Sequence, residues 1–166
     1  MESLKQLTPE GVEGALQKAE RYRLLGEPCE AESICQDVLA VDPENHHAQI
    51  IRILALTDQF RTDLGRVSEA RELAGSLSGE YERCYYTGIV VERQGKTHLS
   101  RGSPGSEDSA NRALREAMAW YERAEAVRPP GEDEAILRWN TCARAIRRRG
   151  FSVPSDMASP ALLMTE

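Results

Sequence analysis

Apolar residues recur along most of this chain at intervals of three and four, the spacing that places them on one face of an α-helix. Val12, Ala15, Leu16, Ala19 and Tyr22 form the first such stripe. Thr8, Pro9 and Glu10 precede it, an expected N-cap, first-turn proline and first-turn acid. Gly26 is the expected C-cap. A second stripe runs through Ala31, Ile34, Cys35, Val38 and Leu39 and ends near Val41, because Pro43 disfavours helical backbone at Asp42 and starts a new helix. The third helix, over about 44–59, is apolar on most sides, as expected for an element packed on several faces. Further helices are expected over about 66–77, 80–94, 107–127 and 132–148. Residues 95–109 hold Gly, Ser and Pro in the proportions of a loop. The tail over 150–166 has Pro154 and Pro160 and no periodicity, and is expected to lack order.

Composition agrees with an all-α chain. Aromatic residues are 5% of it, too few for a typical β-sandwich core, and no apolar run reaches the roughly 20 residues a membrane helix needs. The N-terminus lacks the basic and apolar regions of a signal peptide, so a cytoplasmic location and no membrane partner are expected. The net charge of -6 disfavours nucleic acid as a partner. Charge is uneven, however. The last helix opens with Glu132, Asp133 and Glu134 and closes with Arg147, Arg148 and Arg149, which complements its dipole at both ends.

No pattern of cofactor or metal chemistry stands out. Cys29, Cys35, Cys84 and Cys142 form no C-x-x-C pair, and the last three read as small apolar helix residues. His46 and His47 are helix neighbours about 100° apart and do not converge on one ion. Gly95-Lys96-Thr97 lacks the upstream glycine and strand of a phosphate-binding loop. No metal, cofactor or catalytic set is therefore expected.

The helices pair, and the pairs repeat at a period near 34 residues. Ala19, Tyr22, Ala31, Cys35, Val38 and Pro43 make one pass; Gly88, Val91, Ala117, Tyr121, Ala124 and Pro129 make another. Ala31 to Pro43 and Ala117 to Pro129 both span twelve residues. Small residues let paired axes approach, a larger side chain fills the gap, and proline ends the second helix. In this pattern the chain resembles the tetratricopeptide repeat family. Its expected units are 12–43, 46–79 and 81–131, with 132–149 as a cap and 95–109 as an insertion in the third unit. The middle unit departs from the pattern: Ile53 stands where a small residue is usual, and no proline closes it.

The resemblance implies a short right-handed α-solenoid of antiparallel helix pairs over residues 1–149. It also implies a concave groove, lined by the first helix of each pair, that binds a peptide segment of a partner protein. By register the groove residues would be Leu16, Glu20 and Arg23, then His47, Ile50 and Leu54, then Tyr85, Ile89 and Glu92, then Ile136, Asn140 and Arg144. Only Asn140 and Arg144 match the chemistry of the family's carboxylate clamp, so that clamp is not expected. The main expectation is a protein-binding scaffold with no enzymatic activity. A small secretion-type chaperone for one client, forming a homodimer, is the alternative. An enzyme using Cys84 or His98 ranks third.

Overall fold

The computed structural model describes residues 2–158. Seven α-helices account for most of them, with no strand among the described residues: α1 Val12–Leu24, α2 Pro28–Val41, α3 His46–Asp58, α4 Arg66–Gly75, α5 Glu80–Arg101, α6 Ser106–Ala126 and α7 Glu134–Arg149. A single 3-10 turn, Pro9–Gly11, leads into α1.

Local chemistry accounts for most boundaries. Thr8 precedes the 3-10 turn, but its carbonyl and not its hydroxyl satisfies the turn, accepting from the Gly11 amide at 3.0 Å. Gly26 ends α1 as expected, at φ 79°, and the Glu27 amide reaches back to the Tyr22 carbonyl at 2.9 Å. Asp42-Pro43 stops α2 at Val41. Pro43 does not start α3; Asn45 does, its side chain accepting from the Ala48 amide at 2.9 Å.

The largest departure lies between α5 and α6. The expected loop over 95–109 is mostly helix: α5 runs on to Arg101 and α6 begins at Ser106. Only Gly102–Gly105 connect them, turning through left-handed backbone at both glycines, φ 61° and 77°. The third pair therefore has two long helices where an insertion was expected. The described part of the tail is also placed. Phe151 packs against the α5–α7 core, and Asn111 of α6 donates to the Ser152 carbonyl at 2.8 Å. Residues 159–166 lie outside the described residues.

Each helix packs on its neighbour in sequence, and α1 touches α3 while α3 touches α5. The core divides accordingly. Leu16, Ala19, Ala31, Cys35, Val38, Ala48, Ile51 and Ala55 join α1, α2 and α3. Ile53, Leu56, Phe60, Val67, Ala70, Ala74, Leu77 and Val90 join α3, α4 and α5. Ile89, Val91, Leu114, Ala117, Tyr121, Ala124, Cys142 and Ile146 belong to a third cluster joining α5, α6 and α7. α3 and α5 thus serve two clusters each, which is why α3 is apolar on most sides. α5 and α6 approach each other closely. A Cβ built at Gly88 would lie 2.6 Å from the Tyr121 ring, and one at Gly95 would lie 3.0 Å from Ala113. These pairs run in opposite senses along the two helices, so α5 and α6 are antiparallel.

Two carboxylates lie inside this apolar frame. Glu32 of α2 is 6% exposed and accepts from Gln59 at 2.9 Å and from Arg66, tying α2 to the end of α3 and the start of α4. Glu92 of α5 is wholly buried.

Candidate functional site

The helices α1, α3 and α5 share a face built from residues at helical spacing. On α1 it holds Glu20 and Arg23; on α3 it holds His47, Ile50, Leu54 and Asp58. Glu20 and His47 meet at 2.8 Å, both about half exposed. Arg23 donates to Asp58 at 2.8 Å, and Arg93 of α5 donates to the other Asp58 oxygen and to Thr57 Oγ1 at 2.6 Å. One carboxylate at the end of α3 therefore bridges all three helices. Ile50 and Leu54 fall on the same side of α3 by helical spacing and are half-buried, Leu54 packing against the α5–α7 core.

Several of the expected groove residues lie elsewhere. Leu16, Tyr85 and Ile89 are core, at 4%, 8% and 3% exposure. Ile136 and Asn140 are half-buried and Arg144 is exposed on α7. No side-chain hydrogen bond joins Asn140 or Arg144 to the other expected residues among those described. From α7 it is Arg138 that reaches α5, its Nε 3.5 Å from a Glu92 oxygen.

Glu92 also departs from its expected place. Tyr121 donates its hydroxyl to Glu92 at 2.6 Å, and Lys96 pairs with the other carboxylate oxygen. Glu92 therefore ties α5, α6 and α7 together from inside. Burial and the adjacent Glu92 carboxylate push the Tyr121 hydroxyl far above its usual pKa. The phenol stays protonated and remains a donor at all ordinary pH. The α5 position that faces α3 is the next one, Arg93.

Beyond Glu92 the stripe continues onto the stretch expected to be a loop. Arg93, Lys96, Thr97 and Ser100 lie at helical spacing on α5 and, with Thr57, Asp58 and Arg61, line an open pocket of about 430 Å³. Its lining holds three cations and a single acid. Arg93, Lys96, Thr97, Ser100, Asp58 and Arg61 were all absent from the expected site. Lys96, Thr97 and Ser100 follow Arg93 at the i+3, i+4 and i+7 positions of one helix face, a spacing that Gly95 conceals because a helix-interior glycine reads as a stop.

The remaining candidates carry no comparable geometry. Burial, with Glu80 nearby, raises the Cys84 thiol above its usual pKa, the opposite of what a nucleophilic thiolate needs. Cys35 and Cys142 are buried and pushed up to about 12 by desolvation. His98 lies on α5, not in a loop. Among the described residues no three His, Cys, Asp or Glu side chains group as metal ligands. No helix among them is long and apolar enough to cross a membrane. No protein-family model, curated protein or solved structure matches this chain.

Proposed function

We propose that this chain is a scaffold that binds a peptide segment of a partner protein in a concave groove of a short, tetratricopeptide-like solenoid. The observation that carries the reading is the shared face of α1, α3 and α5. Glu20, His47, Arg23, Asp58 and Arg93 stand between helices that are consecutive first members of their pairs, with half-buried Ile50 and Leu54 on the same side of α3 by helical spacing. Such a face offers apolar contact and fixed polar groups to an extended or helical segment. The supporting features are the paired helices, the small-residue seams and the three core clusters that each span one pair and the next helix. α7 would then serve as the polar cap of the stack.

Ile89 is unsuitable as a probe of the groove, because a charge there would enter the core. Ile50 is the better position. Ile50→Asp is expected to weaken binding of an identified partner peptide by about tenfold or more, since apolar anchors carry most of such energies. Gln36→Asp, on the exposed side of α2, should leave it unchanged. Fluorescence anisotropy measures both, with circular dichroism confirming equal helicity. Equal affinity of the two variants would overturn the groove reading.

A further inference from the structure

The pocket between the end of α3 and the second half of α5 has more charged donors than acceptors. Arg23 donates its Nε proton to Asp58 at 2.8 Å, and Arg93 uses one terminal nitrogen on Asp58 and Thr57. A guanidinium carries about five N–H donors, while one carboxylate offers about four acceptor positions. Arg61, one turn past Asp58, makes no side-chain hydrogen bond or ion pair among the described residues. Lys96 gives one of its protons to Glu92 and is 45% exposed. The Thr57 and Thr97 hydroxyls donate to backbone carbonyls at 2.7 and 2.9 Å, and of the two only Thr57 Oγ1 also accepts, taking a single Arg93 donor at 2.6 Å, so most of the excess stays unmatched.

The pocket is therefore locally cationic on a chain whose net charge is -6. Its volume of about 430 Å³ exceeds that of a single ion and leaves room for the side chain that carries one. An acceptor-only group with a full negative charge satisfies the unmatched donors of Arg61, Arg93 and Lys96 together.

We infer that this pocket receives an oxyanion carried on the partner segment: a phosphorylated serine or threonine, or an Asp or Glu carboxylate. The dianionic phosphate, with its three terminal oxygens, matches three cations better than a carboxylate does. The inference rests on the peptide-binding reading above and adds to it the chemistry of the ligand.

The test uses the full chain, immobilised, and one degenerate peptide library made in three forms with Ser, phosphoserine or Glu at the central position. Four proteins are compared: wild type, Arg61→Glu, Arg93→Gln and Arg148→Glu. Arg148 lies outside the pocket and its reversal makes the same change in net charge as Arg61→Glu. The phosphoserine form should be retained about tenfold over the Ser form by wild type and Arg148→Glu, with the Glu form between them. That preference should vanish in Arg61→Glu, and in Arg93→Gln if that variant keeps wild-type helicity. Arg61 is exposed and makes no side-chain pair among the described residues, so its reversal tests the pocket without disturbing the fold.

Retention of the Glu form alone would support the oxyanion and assign its source to a carboxylate. Equal retention of all three forms would overturn the oxyanion while leaving peptide binding intact. A preference lost as fully in Arg148→Glu as in Arg61→Glu would overturn the pocket in favour of general charge attraction. Retention of no form by wild type would overturn both the inference and the reading beneath it.

Discussion

Glu92→Ala is expected to lower the free energy of unfolding by about 2–4 kcal/mol. Three partners meet the Glu92 carboxylate, and they do not suffer equally from its loss. Lys96 and Arg138 keep 45% and 29% of their side-chain surface in water, so each can solvate its charge again. Tyr121 cannot. It is wholly buried, and among the described residues its hydroxyl has no acceptor other than Glu92, at 2.6 Å. An unsatisfied buried phenol alone costs about 1–3 kcal/mol, and the void left by the side chain adds to it. Glu92→Gln retains an amide oxygen in place and should cost about half as much. The pairing of Glu92→Leu with Tyr121→Phe removes carboxylate and hydroxyl together, and should recover much of the loss. Urea unfolding followed by circular dichroism gives all of these values. If Glu92→Ala costs as much in a Tyr121→Phe background as in the wild type, the hydroxyl is not what the carboxylate supports.

Glu92 also marks where reading the sequence stopped short. Helix positions were legible because apolar residues recur at intervals of three and four in each helix, and the ends with clear turn chemistry, such as Gly26 and Asp42-Pro43, fall where expected. Hydropathy gives no signal for a charge that is buried because Tyr121, Lys96 and Arg138 converge on it from two other helices and one turn away. With Glu92 turned inward, its neighbour Arg93 becomes the face residue, a shift of about 100° that periodicity alone cannot resolve. The Asp58 bridge likewise depends on how α1, α3 and α5 stack. That is tertiary geometry, and Arg23 is the only one of its three members that the register argument selected. The placement of the described part of the tail carries no sequence signal for a related reason: Phe151 packs on the core and Asn111 bonds the Ser152 carbonyl, and such isolated contacts make no periodic pattern. The missed second half of α5 has a different cause. A glycine in a helix interior costs about 1 kcal/mol relative to alanine, so Gly95 reads as a stop. Here the same lack of a side chain lets α6 approach, with Ala113 and the Ala110 carbonyl 3.0 and 3.3 Å from where a Cβ would stand. Packing offsets propensity, and the helix runs on through Arg101 with half of the pocket on it.

The same argument makes Gly88 a sensitive position of this seam. Gly88→Ala is expected to destabilise by about 1–3 kcal/mol, although alanine is the better helix former by about 1 kcal/mol. The added methyl would sit 2.6 Å from Tyr121 Cε1, 2.9 Å from Cδ1 and 3.1 Å from Cζ. A flexible side chain would swing aside. This ring is wholly buried and held at its far end by Glu92, so α5 and α6 must separate instead. Separation loosens the third cluster, in which Tyr121 also packs on Tyr85 at 6.0 Å between ring centres. Gly14→Ala is the control: Gly14 lies inside α1, exposed, with nothing within 4 Å of a built Cβ, and the change should stabilise by about 0.5–1 kcal/mol. Removing the ring should reverse the sign at Gly88. Tyr121→Ala is destabilising in itself, yet in that background Gly88→Ala has space and becomes neutral or stabilising. Thermal unfolding of the four members of this cycle measures the coupling. If Gly88→Ala is as harmful without the ring as with it, the two helices are not held at the distance described, and the small-residue seam does not set their spacing.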